Sequence, residues 1–308
     1  MPKAYAYTRN GGPETEAFIE RDRPEPGPGQ LLVAVRAAGV NPVDWKLRNG
    51  FRRPGAPETP LPAVFGSEIA GEVVALGPDV TGFAVGDAVF GNPVGGGYAE
   101  YALLPASIAA HKPEALSFAD AATLPVAAAT AYDGLRQLAL PAGATVLITG
   151  VGGGVGVAAA QIARAFGLRV VGTASEGKKD FVEALGAIHV PSAGGALADR
   201  IRAAAPGGAV DAVFDLVGGE VLAEVAELVE DRTKLITAAD PPAALKLGGS
   251  PVQRARTSEV LDEVAKLVLS GALRPHVTAA FPLQRAADAL RTVEEGHARG
   301  KVVIEVGQ

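Results

Sequence analysis

Residues 145–156, TVLITGVGGGVG, decide how this chain is read. Thr145 to Thr149 is a short β-branched, apolar run, the mark of a buried strand. Gly150, Gly152, Gly153, Gly154 and Gly156 follow at once, with Val155 among them, and VAAAQIARAFG then reads as a helix stopped by Gly167. A strand, a glycine-rich turn and a helix N-terminus together make a site for a pyrophosphate. Bare backbone lets the phosphates approach, and unpaired N–H groups with the helix dipole favour their charge. The strict G-x-G-x-x-G spacing is not met, because Val151 takes its first place; a looser G-x-x-G-x-x-G is met at Gly150, Gly153 and Gly156. The alternative is a tight structural turn that binds nothing.

On either side of this stretch the chain changes character. Residues 1–112 read as β-rich, with strand-like runs at 31–40 and 69–77 punctuated by PEPGPG (24–29) and LGPDV (76–80). From Ser117, a candidate N-cap with Asp120 three residues on, the sequence to about 140 is Ala-rich and helix-like. Strands and helices then alternate: RVVGT (169–173), a helix through 181–185, a strand at 188–190, a helix near 197–205, AVFDL (212–216), a helix at 220–229 and KLIT (234–237). Such alternation predicts a parallel, doubly wound sheet. A helix at 258–271, another at about 283–295 and a strand at 301–306 follow. The strand does not extend a completed parallel sheet and is returned to the β-rich first domain.

A length of 308 residues suits two domains. No run approaches the ~18–20 apolar residues of a membrane span, and the start, MPKAYAYTRNGG, has no apolar core of a secretory signal. The net charge of −6 and the lack of a basic stripe argue against a nucleic-acid partner. Cysteine is absent, which excludes disulfides, thiolate nucleophiles and Cys-based zinc sites and fits a cytoplasmic location.

GVNPVDWKLRNG (39–50), PAVFGSEIAGEVVALGPDVTGFAVGDAVFG (62–91), the glycine loop, DAVFDLVGG (211–219) and GHARGKVVIEV (296–306) together resemble the medium-chain dehydrogenase/reductase superfamily. The chain is most similar to its zinc-free quinone oxidoreductase branch. The resemblance implies an α/β protein: a GroES-like β domain from residues 1–120 and 272–308, and a Rossmann doubly wound parallel-sheet domain from 121–271. It also implies an active cleft where they meet and a homodimer or homotetramer, with subunit contacts in the less similar stretch 239–258. In zinc-dependent relatives a Cys precedes an Asp by three residues and a His sits in a Gly-His-Glu triplet. Here Asn41 precedes Asp44, and Ser67 stands between Gly66 and Glu68, so no metal is expected. The four histidines, 111, 189, 276 and 297, are scattered singly. Hydride delivery to an electron-poor acceptor needs no Lewis acid.

An acidic residue at the tip of the second strand would chelate the ribose of NAD. The tip here is Thr173-Ala174-Ser175, then Glu176, Gly177, Lys178 and Lys179. A hydroxyl and two lysines suit the 2′-phosphate of NADPH, and by resemblance Lys179 holds the phosphate-binding position. Glu176 places one carboxylate in the same loop, and Ala193 stands where the branch often has a Tyr. The alternative is a solvated lysine pair opening a helix.

By the same resemblance, Asn41, Asp44 and Lys46 map to the substrate side and Thr130 lies by the nicotinamide. Asn41 holds a ribose or a carbonyl. Asp44 orients the substrate or caps a helix, and Lys46 donates a proton, stabilises an enolate or is simply solvated. Thr130 serves the site or bonds its own helix. Val217 and Gly218 end the fourth strand, where open α/β sheets bind ligands, and Lys301 approaches the cofactor. Trp45, Phe51 and Phe65 line an apolar pocket or belong to the core. The reading that follows is a zinc-independent, NADPH-dependent reductase of a small-molecule quinone or α,β-unsaturated carbonyl. Its alternatives are a pathway-specific enoyl reductase and an NADPH-binding protein without turnover.

Overall fold

A computed structural model describes residues 1–52, 55, 59–296 and 298–307. The chain divides into two compact units, one of residues 1–126, 256–265 and 277–308 and one of 127–255 and 266–276. The first begins with β1 (Lys3–Tyr7), β2 (Glu16–Glu20), β3 (Gln30–Val40), α1 (Pro42–Arg48), β4 (Ala63–Val64) and β5 (Ile69–Leu76). It continues with β6 (Ala88–Gly91), β7 (Tyr101–Pro105), β8 (Ala109–His111) and α2 (Phe118–Ala121). The Ala-rich stretch from Ser117 does not form one helix. Ser117 Oγ caps α2 by accepting the Asp120 N–H at 3.0 Å, but α2 stops at Ala121 and a π-type turn spans Leu124–Ala128. Pro125 has no N–H to give to a continuous ladder.

The second unit contains α3 (Ala129–Leu138), β9 (Thr145–Ile148), α4 (Gly154–Ala165), β10 (Arg169–Ala174), α5 (Lys179–Ala184), β11 (Ile188–Pro191) and α6 (Leu197–Ala204). It ends with β12 (Ala212–Asp215), α7 (Gly219–Ala226), β13 (Leu235–Thr237), α8 (Pro241–Lys246) and β14 (Ser250–Pro251). Its strands form one parallel sheet in the order β11-β10-β9-β12-β13-β14, the doubly wound arrangement expected. β9, the strand of the opening motif, is buried along its whole length. With both faces covered it reads as a continuous apolar run. The chain order reverses beside it, so the glycine loop sits at the switch point.

The chain then runs through α9 (Ser258–Leu269), β15 (Val277–Pro282), α10 (Ala286–Glu294) and β16 (Lys301–Glu305). β16 pairs antiparallel with β3, Val302 opposite Val40, so the first unit's main sheet has the order β15-β16-β3-β5-β6-β8, with β7 also on β3. Arg48, fully buried, ties α1 to both flanks of this unit. It pairs with Glu16 and with Glu294, the latter at 2.7 Å, and donates to the Gly11 carbonyl.

Candidate functional site

In the first unit the turn from β3 into α1 gathers a buried polar cluster. Pro42 opens the helix, and the Asp44 carboxylate reaches back to the Asn41 N–H at 2.9 Å. The same carboxylate accepts the Ser67 hydroxyl at 2.6 Å and the Tyr98 hydroxyl at 2.8 Å. Asp44 is 1% exposed. Burial pushes its carboxyl up from 3.8 to about 6, against the pull of Ser67, the Asn41 N–H, Tyr98 and the Lys301 charge. The Tyr98 hydroxyl is raised well above its ordinary value by burial and by the neighbouring Asp44 charge.

Glu68 holds the other half of the cluster. One carboxylate oxygen accepts Lys301 Nζ at 2.7 Å and Asn41 Nδ2 at 2.8 Å. The other accepts the Val126 N–H at 2.7 Å. Lys301 also donates to Asn41 Oδ1 at 2.7 Å and to the Val40 carbonyl at 3.1 Å. Gly39 makes room for this approach: a Cβ there would lie 2.1 Å from Glu68 Oε1 and 2.4 Å from the Ala122 carbonyl. The cluster thus brings Asn41, Asp44 and Lys301 together. Lys301 spends its ammonium on three internal acceptors, and the Asn41 carboxamide is committed to Lys301, Glu68 and the Gly39 carbonyl. Lys46 lies outside the cluster, with its ammonium 5.7 Å from the Trp45 ring centre. Phe65 belongs to the core, flanked by Tyr5, Tyr7 and Tyr98, whereas Phe51 is exposed and Trp45 half-buried.

In the second unit the glycine loop has the form its sequence requires. Gly150 takes φ +65° and donates its N–H to Thr173 Oγ1 at 3.3 Å. Thr173 is buried, and its hydroxyl supports the loop. Gly153 caps α4 without a side chain, so the first N–H groups of the helix, at Gly154, Val155 and Gly156, lack intrahelical partners. A Cβ on Gly156 would lie 2.5 Å from the Gly150 carbonyl oxygen and from Val151 Cα, so only glycine lets the helix pack this close. Lys178 folds over the loop: its Cδ would meet a Gly152 Cβ at 2.7 Å, and its Nζ is 3.5 Å from the Gly152 carbonyl. Ser175 and Lys179 are exposed beyond the tip of β10.

The far wall of the loop is set by Asp215, which is fully buried at the end of β12. It accepts the hydroxyls of Thr149 and Thr237, each at 2.7 Å, and the N–H groups of Val217 and Gly218. Three strand tips are thereby tied together, and Val217 stands beside Gly150 and is half exposed. Thr130 is engaged by a residue distant in sequence: its Oγ1 accepts Arg254 Nη1 at 2.5 Å, while Arg254 Nε pairs with Asp133 at 3.0 Å. Sequence reasoning missed Tyr98, Asp215 and Arg254 and gave Ser67 and Glu68 no structural role. An acid at the end of an apolar strand, as in AVFD and next to IAG, was the available signal for Asp215 and Glu68.

Residues 27–114 match the alcohol dehydrogenase GroES-like domain, and residues 185–304 match the zinc-binding dehydrogenase family. The chain is 36% identical over 302 residues to pikromycin polyketide synthase component PikAII of Streptomyces venezuelae, spanning 91% of this chain but only 8% of that protein. It is 33% identical over 321 residues to the 2-methylene-furan-3-one reductase of Solanum lycopersicum, 98% of this chain and 78% of that one. The quinone oxidoreductase from Coxiella burnetii has the same fold, with a TM-score of 0.89 and 32% identity over 99% of each chain. The chain belongs to the medium-chain dehydrogenase/reductase superfamily, alongside its quinone oxidoreductase homologues, and is an oxidoreductase with a GroES-like and a Rossmann-like domain.

The second family description carries zinc in its name, and the residues here do not fit that metal. No thiolate exists in the chain, the Asp44 and Glu68 carboxylates already hold several donors each, and an ammonium lies against Glu68. Among the described residues no group of three or more His, Asp or Glu is placed to hold a metal ion. His111 bonds the Gly82 carbonyl, His189 the Ala174 carbonyl, and His276 packs at a tilt against Phe181. His297 lies outside the described residues. No helix among those residues is long and apolar enough to cross a membrane.

Proposed function

We propose that this protein is an NADPH-dependent reductase of quinones or α,β-unsaturated carbonyl compounds. The observation that carries the cofactor choice is the tip of β10, where Ser175, Lys178 and Lys179 stand in place of a ribose-chelating acid. In this reading the first amides of α4, at Gly154, Val155 and Gly156, hold the pyrophosphate against the bare backbone of the glycine loop, Ser175, Lys178 and Lys179 hold the 2′-phosphate, and Asp215 keeps Val217 and Gly218 in place. When bound, NADPH supplies the hydride to the quinone or to the enone β-carbon. In the first unit Asn41, Asp44 and Lys46 serve the substrate side, with Asn41 and Asp44 held rigid by Glu68, Lys301, Ser67 and Tyr98; in the second, Thr130 serves the nicotinamide. The Ser67 and Tyr98 hydroxyls both donate to Asp44 and leave no free acidic hydrogen there. Those hydroxyls are thus not the donors, and in this reading solvent rather than Lys46 supplies the proton.

Similarity to the Solanum lycopersicum 2-methylene-furan-3-one reductase and to the Coxiella burnetii quinone oxidoreductase supports the acceptor class. The same reading has the protein in the cytoplasm as a homodimer or homotetramer. Similarity to a short stretch of a polyketide synthase favours a second reading, an enoyl reductase dedicated to one biosynthetic route. Oxidation of NADPH and NADH in parallel, with 9,10-phenanthrenequinone, a naphthoquinone and a 2-alkenal as acceptors, tests the proposal. Turnover of NADPH but not NADH is expected. Rapid oxidation of NADH alone would overturn the cofactor assignment, and tight NADPH binding without turnover would favour a dedicated substrate or a non-catalytic binder.

A further inference from the structure

One face of α3 is turned to the chain that leaves β14. Thr130, Asp133 and Gln137 stand three and then four positions apart, the spacing that stacks side chains along one side of a helix. The Gln137 carboxamide donates to Ser250 Oγ and to the Pro251 carbonyl, each at 3.1 Å, and accepts the Gln253 N–H at 2.8 Å. The Asp133 carboxylate accepts the Ala255 N–H at 3.1 Å and pairs with Arg254 Nε at 3.0 Å. The backbone on both sides of Arg254 is thus pinned to α3 before its guanidinium makes a further contact.

That further contact goes to Thr130, whose Oγ1 accepts Arg254 Nη1 at 2.5 Å. Both side chains of the ion pair are largely buried, 17% exposed at Arg254 and 6% at Asp133. A buried pair loses much of its attraction to lost hydration, and the bonds of the Gln253 and Ala255 amides to α3 already hold the segment. The bond to Thr130 does something else. A threonine hydroxyl has one hydrogen to give and two lone pairs to offer. With one lone pair on a guanidinium, the hydrogen points away from Arg254, and the pull of the cation makes it a stronger donor.

We propose that Arg254 is a positioning residue: its bond to Thr130 Oγ1 makes the Thr130 hydroxyl a directed donor for the carboxamide oxygen of a bound nicotinamide. The inference rests on the reading that Thr130 serves the nicotinamide, and adds to it a residue that acts through Thr130. The carboxamide is a flat handle on the ring, so a hydrogen bond to it resists rotation of the ring about its bond to the ribose and holds the hydride-bearing carbon in one direction. Arg254 itself makes no contact with the cofactor in this scheme.

Calorimetric titration with NADPH and with 2′-phosphoadenosine 5′-diphosphoribose, which has a hydroxyl in place of the nicotinamide, tests this without turnover. The wild-type protein is expected to bind NADPH more tightly. Thr130→Val and Arg254→Gln should each weaken NADPH about tenfold and leave the fragment within about twofold. The double variant should lose no more than either alone, because both remove one interaction. Arg254→Gln strands the buried Asp133, so Asp133→Asn with Arg254→Gln, which removes both charges together, is measured alongside. It should show the same selective loss, and it replaces the single variant in the cycle should that one not fold. If the wild-type protein binds both ligands alike, or Thr130→Val weakens both or neither, the reading of Thr130 falls and takes this inference with it. If Thr130→Val weakens NADPH selectively and removal of Arg254 does not, the inference alone falls. Losses that multiply in the double variant would show that Arg254 acts on its own, and an equal loss of both ligands that it merely holds its segment; either would overturn the inference.

Discussion

Replacing Asp44 by asparagine gives a test of the buried cluster that needs neither cofactor nor substrate. Burial raises the Asp44 carboxyl from 3.8 to about 6 in the folded protein. Between those values the folded state keeps a proton that the unfolded chain releases. The stabilisation is therefore fully present below pH 3.8, is lost as pH rises through about 6, and is absent above that. Each pH unit inside the window is worth about 1.4 kcal/mol, so the whole window amounts to about 3 kcal/mol. From about pH 4.5 to about pH 7.5, where unfolding is practical to follow, roughly 2 kcal/mol of that loss falls.

The Asp44→Asn variant has no such titration, so the stability of the wild-type protein minus that of the variant should fall by this amount over the same range. Taking the difference cancels the carboxylates common to both. The assay is urea unfolding at several pH values, followed by the emission of Trp45, the single tryptophan of the chain. Trp45 is the next residue on α1, so it reports the unit that holds Asp44 even if the two units unfold separately. A difference that stays flat would refute the claim that burial dominates at Asp44. A difference that rises with pH would show that Ser67, Tyr98 and Lys301 outweigh burial.

The remaining predictions concern the ion pair and the glycine loop. Lys301→Met strands the fully buried Glu68 without its cation and should cost about 3–5 kcal/mol; the double variant with Glu68→Leu should recover much of this in the same urea titration. Gly156→Ala drives a methyl into backbone at 2.5 Å and should lower stability by about 1–3 kcal/mol and weaken nucleotide binding. Gly152→Ala crowds only the flexible Lys178 side chain, with Ala174 at an ordinary 3.7 Å, so thermal unfolding should barely move.

The second unit was legible because its signals are local. A strand, a glycine turn and a helix follow one another within β9 and α4, and each later βα pair repeats the pattern, so periodicity alone recovered the sheet. The position of Lys178 and Lys179 just beyond β10 was legible for the same reason. The cluster around Asn41 was not, because its partners lie far off in sequence: Glu68 and Lys301 are 233 positions apart. Read singly, Lys301 suggested a group reaching for the cofactor, and only the pairing of β16 with β3 places its ammonium against Glu68 and Asn41. Thr130 meets Arg254 across 124 positions, from the stretch where resemblance to the family was weakest. Helical periodicity also carried the Ala-rich run through Pro125, where the missing N–H of one residue outweighed the propensity of its neighbours.

The pairing of β16 with β3 also sets an order of events on the ribosome. β3 is made early, but the strand that covers its edge, and the lysine that neutralises Glu68, are among the last of the described residues to be synthesised. All six strands of the parallel sheet emerge in the interval. The nascent first unit must therefore wait, with an open strand edge and an uncompensated buried acid, while the second has everything it needs to fold. For roughly the time needed to translate the intervening sequence, the Ala37–Val40 end of β3 has no β16 to take up its backbone hydrogen-bonding groups.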